Sequence, residues 1–220
     1  MPRAPRAFDI QLQYHLMVRG SNKSTVFRDE EDYQTYYRLI LQAKHSFRMR
    51  IYHYVLMPNH GHIQFQPSRP TIAGFLRFVQ WRYSRYFSKK YGIAGHIWQG
   101  HPKCKAIETE SYSTACGIYI EHNPVRAGIV KSPGDWPYSS YNFYAFGRPD
   151  PLVDVDPMYR ELGATPAARQ ASYRQKVGGE MRSVPTAARC PAPGAGHQGA
   201  GKVDKWWVPV AHLERFPKMP

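Results

Sequence analysis

The first fifty residues show two spacings of hydrophobic side chains. In residues 8–18, hydrophobic and polar positions alternate, with Phe8, Ile10 and Val18 on the hydrophobic side. This alternation predicts a strand with one buried face. In residues 29–47, hydrophobic side chains recur three and four positions apart, after a run of acidic residues that suits the start of a helix. The region therefore predicts a strand followed by a helix.

The next segments extend this pattern into a sheet. Residues 50–57 and 60–66 are rich in β-branched and aromatic side chains and predict a hairpin around a Pro58-Asn59 turn. We expect a helix over residues 72–91, a fourth strand within the looser segment that follows, and a helix over residues 108–122. This order predicts an α+β fold with a ferredoxin-like, split βαβ antiparallel sheet and helices on one of its faces.

The character of the chain changes after Gly147. Residues 1–147 are interpreted as the catalytic-type domain and residues 148–177 as a helical appendage. Residues 178–220 are rich in Gly, Pro and Ala, a composition that buries too little surface to offset chain entropy, so we expect a flexible tail. Trp206-Trp207 is unusual in such a tail and has no assigned role.

Composition narrows the class of protein. Hydrophobic residues make up 42% of the chain and aromatics 14%, which excludes wholesale disorder. The sequence contains no apolar run long enough for a membrane span and no apolar region of signal-peptide type near Met1. The 3 cysteines fit no metal-binding or disulfide spacing. We therefore expect a cytoplasmic protein, associated with the nucleoid if it binds DNA.

Charge points to a polyanionic partner. The chain carries 30 Lys and Arg against 16 Asp and Glu, a net charge of +14. An excess of this size favours nucleic acid, while a basic surface that serves only solubility is the alternative.

The sharpest local motif is His60-Gly61-His62 on a predicted strand. Side chains two positions apart point to the same face, about 6.6 to 6.8 Å apart along the strand, so both imidazoles can reach one divalent metal ion. Two histidines on one strand face are also common as ordinary sheet residues, and two ligands do not close a metal site. His15, on the polar face of the first strand, is a candidate to hydrogen-bond a metal ligand.

A second feature is the segment that contains Tyr119 and Asn123. The two residues lie four positions apart, on one face of the predicted helix. A tyrosine in such a stripe is often part of the core, and the chain has 16 tyrosines. Asn123 before Pro124 also matches a helix N-cap followed by proline, with Gly128 ending the short helix.

Taken together, six blocks of sequence resemble the REP-associated tyrosine transposases, a branch of the single-tyrosine HUH transposases. The blocks are YHLMVRG at 14–20, YVLMPNHGHI at 54–63, FLRFVQWRYSRYF at 75–87, IWQG at 97–100, YIEHNPVRAGIV at 119–130 and DWPYSSY at 135–141. The chain departs from the family at His101, where many relatives have arginine, and at His122, where an apolar residue is usual.

The resemblance implies roles for individual residues. His60 and His62 match the metal-binding histidine pair, and Tyr119 matches the nucleophile. Asn123 lies where related transposases have a polar third metal ligand, a role that competes with its N-cap interpretation. Five basic residues are candidates to contact DNA phosphates: Arg77, Arg82, Arg85, Lys103 and Arg126. The alternative is that they are solvent-exposed charges without a binding role.

The resemblance also implies an activity: a single-stranded DNA endonuclease and strand transferase acting at hairpins of palindromic repeats. Tyr119 would form a 5′-phosphotyrosine intermediate with help from Mg²⁺ or Mn²⁺, and the protein would act as a monomer or homodimer. Two other classes remain open. One is a domesticated protein that binds hairpin DNA or RNA without cutting it, and the other is a metal-dependent hydrolase that activates water.

Overall fold

One antiparallel sheet organises the molecule. The computed structural model describes residues 7–183, and in that range the strands are β1 (Gln13–Arg19), β2 (Arg50–Met57), β3 (His60–Gln66) and β4 (Lys103–Ile107). Their spatial order is β2-β3-β1-β4, and every neighbouring pair is antiparallel. This is the strand arrangement of a split βαβ domain, so the predicted α+β, ferredoxin-like fold is confirmed.

Helices cover both faces of this sheet, where the sequence predicted them on one. The longer helices of the first two thirds of the chain are α1 (Glu30–Phe47), α2 (Ala73–Tyr91) and α3 (Glu110–Glu121). Tyr54 of β2 faces α1, with its ring centroid 6.2 Å from that of Tyr37. The adjacent His53 points the other way and meets α3, and α2 packs against α1. Strand β2 is therefore buried on both sides, which explains its nearly continuous run of apolar and aromatic residues.

Strand β1 begins five residues later than the alternation predicts. The Asp9 carboxylate accepts a hydrogen bond from the Gln11 backbone N–H at 2.8 Å, and the Asp9 N–H donates to the Tyr14 hydroxyl at 2.7 Å. An aspartate that bonds its own backbone two residues on favours a turn over a strand. Phe8 is buried as the alternation predicts, but Ile10, which was predicted on the same buried face, is 44% exposed.

Shorter helices and one long one complete the described chain. They are α4 (Asn123–Arg126), α5 (Tyr141–Phe146), α6 (Pro157–Arg160) and α7 (Pro166–Ser183). Helix α7 buries Tyr173 and Val177 and continues through residues 178–183, which the sequence placed in the flexible tail. The rest of that tail, with Trp206-Trp207, lies outside the described residues, and the division of the chain into domains stays a prediction. None of the described helices has the length and apolar character needed to cross a membrane.

Replacing Gly117 with alanine is expected to destabilise the protein. A Cβ at Gly117 would lie 2.7 Å from Nε2 of His53. The imidazole has little freedom to move, because it bonds Glu121 and stacks on Tyr144 with ring centroids 4.5 Å apart. Overpacking of this kind costs about 1–3 kcal/mol of unfolding free energy. Urea denaturation of Gly117→Ala measures the loss.

Gly178→Ala is the matched control for that prediction. Gly178 also lies in a helix, but apart from the helix's own backbone no atom of the described residues lies within 4 Å of a Cβ placed there. Alanine should leave stability unchanged or raise it by up to about 1 kcal/mol, because it favours the helix. A Gly117→Ala protein as stable as wild type would show that α3 does not sit this close to β2.

Candidate active site

The histidine pair lies at the start of β3 and faces α3. His62 is 3% exposed and His60 is half-buried, and their ring centroids are 5.1 Å apart with the planes nearly perpendicular. Gly61 points to the other face of the sheet, where a Cβ would lie 3.3 Å from Leu56 and 3.5 Å from Val18. Core packing on that side therefore favours a glycine between the two histidines.

Hydrogen bonding determines which nitrogen of His60 carries its proton. Nδ2 of Asn59 donates to the Lys23 carbonyl at 3.2 Å, which orients the Asn59 amide and makes its Oδ1 an acceptor. Nδ1 of His60 lies 2.6 Å from that oxygen and must be the donor. In the neutral imidazole the lone pair is then on Nε2, the atom that is left to bind a metal ion.

His62 is paired with His15 of β1. Nδ1 of His62 lies 2.8 Å from Nε2 of His15, and the two rings stack with centroids 5.0 Å apart. When His62 is the donor, its Nε2 lone pair is available for a metal ion and His15 supports it, as metal-ligating histidines commonly are supported. The structure thus places His15 against the histidine pair.

Burial and neighbouring positive charge keep both histidines neutral. Burial, reinforced by the charge of Arg19, lowers the pKa of His60 to about 4. Burial also lowers the pKa of His62 well below its usual value, and the positive charges of Arg19 and Arg126 act in the same direction. A neutral imidazole is the form that binds a metal ion, so both side chains are in the ligating form at neutral pH.

Tyr119 lies beside these histidines, although it belongs to a different element. Thr109 caps the start of helix α3, where its side chain accepts a hydrogen bond from the Tyr112 N–H, and the helix carries Tyr119 near its end. The Tyr119 ring centroid is 5.9 Å from that of His62 and 6.1 Å from that of His15. The guanidinium of Arg126 lies 4.9 Å from the centre of the same ring. One chain therefore brings the tyrosine, the histidines and a positive charge together.

Asn123 does not cap α4 as the sequence suggested. Its Nδ2 donates backwards to the carbonyls of Tyr119, at 2.9 Å, and Ile120, at 3.1 Å, so it caps the end of α3 instead. Its Oδ1 is directed away from those carbonyls, because only the nitrogen can donate to them. The N-cap interpretation is wrong. Gly128, in the left-handed region with φ 69°, follows the short helix as expected. The ligand role of Asn123 stays a prediction.

The five basic residues predicted to contact DNA fall into two groups. Lys103 of β4 pairs with Met17 and shares the face of β1 that carries His15, and Arg126 lies over Tyr119. The other three, Arg77, Arg82 and Arg85, are exposed on α2, which packs with α1 on the opposite face. On α2, the Arg85 guanidinium lies 5.0 Å from the ring centre of Trp81, which is 56% exposed.

Three residues near the site were missed by sequence reasoning. Asn59 orients His60, Arg19 acts on both histidines through its charge, and Lys105 pairs with His15 across the β1–β4 register. Arg19 lies four positions after His15, but the predicted strand stopped at residue 18; extended by one residue, the period-two pattern would have placed both on one face. Lys105 could not be found in this way, because its register with β1 is a tertiary feature.

Comparison with known proteins identifies a family and similar folds. The family model described as "Transposase IS200 like" matches residues 9–123. A solved REP-associated tyrosine transposase, bound to a REP hairpin, is 22% identical, with 71% of this chain and 93% of that chain covered and a TM-score of 0.55. A chain from Deinococcus radiodurans, assigned provisionally as a transposase, is 15% identical, with coverage of 56% and 97% and a TM-score of 0.38. No curated protein matches the chain.

The family match extends over more than half of the 220 residues and includes the histidines, Tyr119 and Asn123. The superposition on the REP-associated tyrosine transposase agrees with it at the level of the fold. The resemblance seen in the sequence blocks is thereby confirmed, and the protein is a transposase-like protein that acts on DNA. The chain belongs to the IS200-like transposase family.

Proposed function

We propose that this protein cuts and rejoins single-stranded DNA at hairpin-forming palindromic repeats, with Tyr119 as the nucleophile. The observation that carries the proposal is the position of the Tyr119 ring, 5.9 Å from His62 and 6.1 Å from His15, within a single chain. A tyrosine beside the neutral His62 and under the guanidinium of Arg126 is a suitable arrangement for transfer of a phosphodiester.

The reaction exchanges one phosphodiester for another. The Tyr119 hydroxyl oxygen attacks the scissile phosphorus, the bond from phosphorus to the 3′-oxygen breaks, and a 5′-phosphotyrosine forms. The proton lost by the phenol is balanced by the proton that the departing 3′-oxygen gains. Because the tyrosyl ester keeps the phosphodiester, attack by another 3′-hydroxyl rejoins the strand without a nucleotide cofactor. Arg126, over the ring, favours the negative charge that develops on the phenol oxygen.

The donor atoms of the site fit Mg²⁺ or Mn²⁺. His60 presents Nε2, because Asn59 holds its other nitrogen as a donor, and His62 can do the same through its pairing with His15. Residues 7–183 contain no group of three or more His, Cys, Asp or Glu side chains arranged for a metal ion. The remaining ligands would therefore be Asn123 Oδ1, water and phosphate oxygens of the substrate. A bound ion would polarise the scissile phosphate and neutralise its developing charge.

Basic residues on the two faces of the sheet suggest two contacts with DNA. Lys103, Lys105 and Arg126 lie on the side of the histidines and suit the phosphates of the strand to be cut. The exposed arginines of α2, with Trp81, suit a second segment of DNA, where an aromatic ring can stack on a base. The REP-associated tyrosine transposase of similar fold was bound to a REP hairpin, which supports a hairpin substrate here.

The test is the formation of a covalent adduct between protein and DNA. Purified protein is incubated with a 3′-end-labelled single-stranded hairpin oligonucleotide, taken from palindromic repeats near its gene, with Mg²⁺, Mn²⁺ or EDTA. We expect a labelled band at protein mass on a denaturing gel with either metal and none with EDTA. An oligonucleotide with a scrambled stem is the control for hairpin dependence.

Other outcomes would favour the two other classes of protein. Multiple-turnover cleavage without an adduct would indicate a metal-dependent hydrolase. Tight hairpin binding without cleavage in either metal would indicate a binding module.

A further inference from the structure

We propose that a buried hydrogen-bond network, centred on Glu121 and completed by Tyr173 of α7, positions Tyr119 for attack on DNA. The network, called here the Glu121 anchor, consists of Glu121, His53, Ser140, Asp156 and Tyr173. The inference rests on the proposed function, because it assigns these residues to the placement of the nucleophile.

The carboxylate of Glu121 is fully buried at 0% exposure and holds three partners. Its Oε1 accepts from the Ser140 hydroxyl at 2.6 Å and from Nδ1 of His53 at 2.9 Å. Its Oε2 accepts from the Tyr173 hydroxyl at 2.6 Å. Four separate parts of the chain thus meet at one side chain: β2, α3, the start of α5 and α7.

His53 supplies the positive charge that a buried carboxylate needs. Burial alone would lower the pKa of His53, but hydrogen bonds and attraction from Asp156 and Glu121 raise it to about 9. The imidazole is therefore charged at neutral pH. Its Nε2 lies 3.5 Å from Asp156, which precedes α6, so the cation bridges the carboxylates of α3 and of the C-terminal segment.

The anchor and the nucleophile lie on opposite sides of the same helix. Glu121 follows Tyr119 by two residues, which is a rotation of about 200° around a helix with 3.6 residues per turn. Gly117, one turn before Glu121, allows α3 to approach the His53 ring closely. Bonds that hold Glu121 therefore limit rotation of α3 about its axis, and the same rotation would carry Tyr119 away from His15 and His62.

If Glu121 served packing alone, a buried negative charge at this place would lower the stability of the fold. A negative charge in the last turn of a helix opposes the helix dipole, and a buried ion pair is often no more stabilising than apolar side chains of the same volume. Directional bonds are what the charged residue adds. Directional hydrogen bonds fix the rotation of α3 about its axis, whereas apolar side chains of the same volume would fill the space without fixing that rotation.

The test compares two tyrosine variants of the full-length protein. Tyr173→Phe removes only the hydroxyl that bonds Glu121. Tyr159→Phe removes a hydroxyl from the same aromatic group, where it donates to the Tyr144 carbonyl at 2.9 Å and has no bond to Glu121. Each variant is measured for hairpin affinity, for the rate of adduct formation at saturating hairpin, and for amide hydrogen exchange along α3.

We expect Tyr173→Phe to slow adduct formation at saturation by roughly tenfold, since a misplacement of 1 Å can cost about 100-fold. Hairpin affinity should not change, and exchange should rise at residues 117–123 only. Tyr159→Phe should match wild type in all three measurements.

Two outcomes would overturn the inference: equal adduct rates at saturation for the two variants, or unchanged exchange at residues 117–123 in Tyr173→Phe. A wild-type protein that forms no adduct would instead overturn the proposed function. The exchange measurement then still decides whether Tyr173 holds the end of α3.

Discussion

Tyr119→Phe is expected to abolish covalent attachment to DNA and to leave hairpin binding intact. Phenylalanine keeps the ring beside His15 and His62 and under the guanidinium of Arg126, so the surroundings of the site are preserved. What is lost is the hydroxyl oxygen that attacks phosphorus. Removing the nucleophile of an enzyme that works through a covalent intermediate lowers turnover by at least about a thousandfold. The adduct assay and a gel-shift titration with the same oligonucleotide measure the two properties separately.

Tyr112→Phe is the matched control for this prediction, because it removes a hydroxyl from the same helix, seven positions earlier. It should form the adduct at the wild-type rate. Strand cleavage that persists in Tyr119→Phe would mean that water or another side chain is the nucleophile. The metal-dependent hydrolase would then be the better description of this protein.

Loss of either histidine of the pair is expected to remove metal-dependent cleavage. His60→Ala and His62→Ala each delete one of the two nitrogen ligands assigned to the ion. Changes to groups that merely support a ligand already cost 10- to 100-fold in metal affinity or activity, so we expect a loss of at least about 100-fold for the ligands themselves. Electron paramagnetic resonance of Mn²⁺ measures binding directly, in the presence of a hairpin oligonucleotide, and the adduct assay measures activity.

His45→Ala serves as the control for loss of an imidazole, since His45 is exposed on α1. It should bind Mn²⁺ and form the adduct like wild type. Because His62 is buried, the folded state of His62→Ala is checked by thermal unfolding before its activity is interpreted. Cleavage that survives EDTA and both histidine variants would remove the metal from the proposed mechanism.

Much of the molecule could be predicted from local patterns. Hydrophobic spacing located the hairpin and the helices that became α1, α2 and α3 within a few residues, since strand and helix periods depend on neighbours in sequence. The same period placed His60 and His62 on one strand face, and the sequence blocks indicated the family. The local pattern failed at two places where a polar side chain bonds to nearby backbone. Asp9 accepts from the Gln11 N–H and forms a turn where the alternation predicted a strand, and Asn123 donates back to α3 and does not cap α4.

The sequence by itself determined the order of elements, the histidine pair and the tyrosine segment, because each is written in residues close together along the chain. Only the tertiary structure decided which helix covers which face, and so placed the arginines of α2 and the catalytic candidates on opposite sides of the sheet. It also paired His15 with His62 and joined Glu121 to His53 and Tyr173, over separations of 47, 68 and 52 residues. Such contacts depend on how whole elements pack against each other, and the spacing of residues within one segment carries no information about that packing.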